Sequence, residues 1–150
     1  MKIIQIMLLA TGLLLACNSK TESPSTVEPA AEIHAPDDHA SGLLLNNGAK
    51  WKADPSTIGN VDLLQKTVSG AKKENLDSYL QTAAQLGEGL NKMVRECKMQ
   101  GADHDALHQW LEPLMEKTNN LKKVTATGEA ATLLTEIEKQ VNLFPQYFEK

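Results

Sequence analysis

The stretch Met93-Val-Arg-Glu-Cys97-Lys-Met99-Gln-Gly101-Ala-Asp103-His104-Asp-Ala-Leu107-His108-Gln-Trp110-Leu-Glu-Pro113-Leu-Met115 decides the fold, because one helical pattern ends inside it and another begins. Backward from it, Tyr79, Ala83, Leu86, Leu90, Met93 and Cys97 fall within a sector about 80° wide at 100° per residue. That single apolar stripe predicts a helix from about Lys73 to Lys98. Gly87 and Gly89 interrupt it at a cost of about 1 kcal/mol each relative to alanine, unless a neighbour needs the space. Met99 to Ala102, with Gly101, reads as a turn. Forward from it, Asp103 is the expected N-cap of a helix reaching about Val124, with Leu107, Trp110, Leu111, Leu114 and Leu121 facing inward. Pro113 in mid-helix removes the bond to the Gln109 carbonyl and predicts a kink.

The flanking segments repeat the pattern. Asp54-Pro55 is an N-cap and first-turn pair; Ile58, Val61, Leu64 and Val68 share a face, and Gly70 closes that helix. A last helix starts after Thr127 and turns Ala130, Leu133 or Leu134, Ile137, Val141, Phe144 and Phe148 inward, with Pro145 disturbing its final turn. Four helices on short connections, with no long strand-period segment, predict an all-α, up-down-up-down four-helix bundle over residues 43–150. Leu43 to Lys52 precedes it as a short extended piece with a favoured hairpin turn at Asn47-Gly48, and Trp51 is expected to lie against the core. The topology brings Cys97, His104 and His108 to the same pole as Trp51, Phe144, Tyr147 and Phe148.

Residues 1–16 read as a signal peptide. Met1-Lys2 is a short positive start, and Ile3 to Ala16 is apolar but too short to span a bilayer, which takes about 20 residues. The run ends in Leu14-Leu15-Ala16-Cys17, which resembles the lipobox of bacterial lipoproteins. The resemblance implies cleavage before Cys17, diacylglycerol on its sulfur, an acyl chain such as palmitate on its new amine, and a stable attachment to membrane lipid. Asn18, where inner-membrane retention signals carry Asp, favours the outer membrane. Residues 18–42 hold three prolines and almost no large apolar side chain, the composition of a disordered tether. As a flexible coil it reaches about 25–30 Å. His34-Ala-Pro-Asp-Asp-His39 inside it is a weak metal-ligand tract or simply solvated.

The chain carries 15 Lys and Arg against 19 Asp and Glu, a formal net charge of −4, and removal of Lys2 with the leader makes it one unit more negative. No basic block offers a footprint for nucleic acid. With Cys17 committed to lipid, Cys97 has no partner for an internal disulfide.

His104 and His108, four apart, stack on one helical flank that Met115 continues, and Cys97, Met93 and Met99 approach from the preceding helix and turn. Thiolate, thioether and imidazole groups suit copper(I) or zinc, copper being favoured by the number of sulfurs. Each residue also has an ordinary role. A lone Cys in an apolar stripe and methionines at helical spacing are core residues, and a His pair on a helix edge is commonly solvated. The segment Cys97-x-Met99-x-Gly101, then His104-Asp105-x-Leu107-His108-x-Trp110-Leu111, with Asn46-Asn47-Gly48-x-Lys50-Trp51-Lys52 upstream, resembles a group of small bacterial envelope lipoproteins. The likeness covers most of residues 43–148 and implies a helical envelope domain without an established activity.

Catalysis is not expected. Cys-x-x-Cys-His for haem attachment is absent, di-iron Glu-x-x-His pairs are absent, and no hydrolase constellation is recognisable. The readings left are a lipid-anchored module that binds or buffers copper or zinc, and a structural or adaptor bundle that presents a helical face to another envelope protein.

Overall fold

The structure, a computed structural model of the chain, describes residues 42–149. The expected signal peptide, Cys17, His34, His39 and all of the expected tether but Gly42 lie outside them. The described residues form an all-α four-helix bundle: α1 (Pro55–Ser69), α2 (Leu76–Glu96), α3 (Gly101–Leu121) and α4 (Thr127–Tyr147). Packing runs α1 on α2, α2 on α3, α3 on α4 and α4 back on α1, a closed ring of sequence neighbours. Among the described residues no helix is long and apolar enough to cross a membrane.

The stripes read from the sequence make the core. Val61, Leu64 and Val68 of α1, Tyr79, Ala83, Leu86, Leu90 and Met93 of α2, and Leu134, Ile137, Val141 and Phe144 of α4 are buried around Leu107, Trp110, Leu111 and Leu114 of α3. Leu134, not Leu133, takes the inward position on α4, and Ile58 is only half-buried. Trp110 meets Phe144 edge-on at 5.0 Å, and Phe144 stacks on Phe148 at 4.6 Å. The Trp110 indole N–H donates to the Gln140 carbonyl and the Gln140 amide donates back to the Trp110 carbonyl, each at 2.8 Å. This exchange lets a fully buried glutamine sit in the core without leaving its amide donor unpaired.

Asp54 caps α1 as expected, its carboxylate accepting the Thr57 N–H at 2.6 Å with Pro55 in the first turn. The other helix ends differ from expectation. Gly70 closes α1 at φ −90°, outside the left-handed region a C′ glycine normally occupies. α2 begins at Leu76 because Asn75 and Ser78 form a reciprocal capping box. α3 begins at Gly101 behind Gln100, whose side chain makes no capping bond, and Asp103 is not the N-cap. Gly101 has φ +63°, a conformation glycine alone adopts freely, so the turn can be this abrupt.

Phe148 is not helical. It leaves α4 and pairs in parallel with the N-terminal segment, giving a two-stranded sheet of β1 (Trp51–Lys52) and β2 (Phe148–Glu149) with Trp51 opposite Phe148. The hairpin turn at Asn47-Gly48 is present, with φ +50° and +86°, closed by bonds of 2.9 and 3.0 Å between Asn46 and Ala49. An isolated ribbon of this size is marginal, and the pairing with β2 together with burial of Leu43 gives it support.

Candidate functional site

The turn between α2 and α3 is held by the start of α1. The Asp54 carboxylate accepts the Thr57 N–H, the Ser56 hydroxyl at 2.9 Å and, from its other oxygen, the Lys98 N–H at 2.7 Å. Partial burial works to raise its pKa, but these donors outweigh it and bring the group from 3.8 down to about 2. Ser56 in turn donates to the Glu96 carbonyl at 2.8 Å. Buried Asn60 donates to Glu96 at 3.0 Å and accepts from Lys92 at 3.1 Å. The Asn60 amide, then Lys92, holds the Glu96 carboxyl below the usual range. Beyond the turn, Asp103 accepts the Lys52 N–H at 2.9 Å, tying the first turn of α3 to β1.

On this frame the candidate ligands divide. Cys97 is the C-cap of α2, its N–H bonded to the Met93 carbonyl, and it is half-buried against the core together with Met99 and Met115. Met93 is wholly buried. His104, half-buried, and His108, half-exposed, stand edge to face with ring centroids 4.6 Å apart, as their spacing on one flank requires. Glu112 is the next rung of the same flank, and its carboxylate lies 3.5 Å from Nδ1 of His108.

Among the described residues no group of three or more His, Cys, Asp and Glu side chains gathers where a metal ion would sit. What the structure brings together is a pair of imidazoles with a carboxylate behind one of them. A carboxylate close to Nδ1 is an arrangement common behind metal-ligating histidines. The flank read from the sequence continues with Met115 and passes over Glu112, which the spacing 104, 108, 112 would have found. Asp54 and Asn60 were not legible as parts of this region, because their partners lie in a different helix and turn. No family model, curated protein sequence or solved structure matches the chain.

Proposed function

We propose that the protein is a lipoprotein of the bacterial envelope, held by an acylated Cys17 at the outer membrane, whose bundle takes up a zinc or copper ion on the His104 and His108 edge of α3. The edge-to-face imidazole pair, with Glu112 placed to orient His108, is the observation that carries this reading. Two imidazoles four residues apart form a chelate, and zinc and copper both accept imidazole. The remaining coordination positions are left to water or to a sulfur of the adjoining turn, where Cys97 and Met99 are both half-buried. Such a site exchanges its ion readily, which suits buffering or hand-over and not catalysis.

The mature chain should bind one equivalent of zinc(II), or of copper(I) under reducing conditions, and be stabilised by about 2.7 kcal/mol at a ligand concentration 100 times the dissociation constant. His104→Ala with His108→Ala should abolish that shift. Cys97→Ser reports whether the thiol joins, and removal of His34 and His39 should leave the shift intact. Binding that follows His34 and His39 instead would refute the bundle site.

A second reading, an adaptor bundle, is favoured by a different observation. Leu63 of α1 and Val94 of α2 are 46% and 52% exposed. Leu63 lines a surface groove between those helices with Gly89, Lys92 and Arg95. A polar and charged groove with Leu63 set in it, and Val94 exposed outside its lining, offers a face to a helix of another envelope protein. Cross-linking from position 63 or 94 in intact cells, lost on Leu63→Ser, would support it.

A further inference from the structure

Leu43, Leu44 and Leu45 are consecutive but have different fates. Leu43 is buried in the core, whereas Leu44 is 67% and Leu45 41% exposed. They do not hang on a free end. The Leu44 carbonyl accepts the Trp51 indole N–H at 2.7 Å, the Asn46 to Ala49 turn closes behind them, and Lys50 is fastened to the Pro145 carbonyl at 2.6 Å. Two apolar side chains are therefore displayed on a rigid lip where the segment leading back to Cys17 joins the bundle. We infer that this lip seats in the headgroup region of the phospholipid bilayer, with Leu44 and Leu45 entering the acyl boundary and half-buried Trp51 at the interface beside them.

The inference rests on the lipid-anchor reading, which supplies its physical reason. Exposed leucines bind a bilayer weakly from solution. A chain fixed to that bilayer through a tether of about 25–30 Å meets it at high effective concentration, where a weak contact is populated. The lip stands among charges of both signs, so the apolar pair and the tether carry the contact. Lys50 and Lys52 are exposed beside it. Of the acidic groups nearby, Glu96 is paired with Lys92 and Glu149 lies opposite Lys52 in the parallel pair, while Asp54 and Asp103 accept backbone N–H donors and keep their negative charge. Trp and Lys are the side chains that settle at the headgroup level.

The test uses the full lipidated chain in vesicles of phosphatidylethanolamine and phosphatidylglycerol, with and without acyl-brominated phosphatidylcholine. Bromine should quench the emission of Trp51, with Trp51→Phe reporting the contribution of buried Trp110. Leu44→Asn with Leu45→Asn should keep the chain on floated vesicles while quenching falls to the Trp51→Phe level. A chain that floats but whose Trp51 ignores bromine, or a double variant quenched like the parent, overturns the lip and leaves the anchor standing. A parent chain that does not float overturns the anchor, and the lip with it.

Discussion

The two poles of the bundle are built by different means. At the pole where residue 42 enters, the stitching joins segments far apart in the chain: Lys52 to Asp103, Asp54 to Lys98, Ser56 to Glu96, Lys50 to Pro145, and β1 to β2. At the opposite pole the capping bonds are local. Asn75 and Ser78 cap each other, Lys123 closes on Asn120, and Lys73 reaches Glu138 only as a partly exposed ion pair. A pole that needs only to reverse the chain can rely on local caps. The pole where residue 42 enters also fixes the first turn of α3, which carries His104, and does so through bonds between elements.

Removing the shared cap should therefore cost most. Asp54→Ala deletes an N-cap and leaves the Lys98 N–H and Ser56 hydroxyl without that acceptor, for a loss of about 2–3 kcal/mol in urea unfolding. Asn75→Ala, at the local pole, should cost only about 1 kcal/mol. Equal losses would erase the distinction between the poles.

Acid should single out the same residue. A carboxyl lowered to about 2 in the folded chain and near 4 when unfolded contributes stability that is fully present above about pH 4. It disappears as pH falls through about 2. The share lost is about 1–2 kcal/mol once partial exposure is allowed for. Asp54→Asn should flatten that stretch of the stability profile, while Asn75→Ala should leave its shape unchanged.

What the sequence could reveal follows the same division. Helices are local objects, so the α2 stripe, the Asp54-Pro55 start and the four-helix count were all readable from spacing. The parallel pairing of Trp51 with Phe148 joins the two ends of the fold, and no short-range pattern encodes it. The apolar period of α4 carried through Phe148 because burial in a sheet and burial in a helix look alike at a single residue. Asp103 looked like a cap because Asp caps helices, but its carboxylate is taken by Lys52. Asn60 and Gln140 are buried for reasons hydropathy cannot see: Asn60 bonds Glu96 and Lys92 of α2, and the Gln140 amide N–H donates to the Trp110 carbonyl of α3, although its side-chain oxygen is left without a partner among the described residues. The imidazole pair was readable, being local. Its relation to Cys97 across the turn was not, and the structure places that cysteine against the core.

The smallest predicted effects come from two neighbouring glycines of α2 and have opposite signs. Both cost helix propensity, so Ala at either position gains up to about 1 kcal/mol from the backbone alone. At Gly89 the added Cβ would lie 2.9 Å from Cδ2 of Leu64, a fully buried core residue with little room to retreat. Overpacking of that kind costs about 1–3 kcal/mol, so Gly89→Ala should be destabilising by about 1 kcal/mol net. At Gly87 the new methyl meets only the ammonium end of Lys122, an exposed side chain that can swing into water. Gly87→Ala should then be stabilising by a few tenths to about 1 kcal/mol, read as a rise in the urea midpoint without a change in slope. A loss at Gly87 comparable to that at Gly89 would mean that Lys122 is held over α2 and that the far pole, too, depends on contacts between elements.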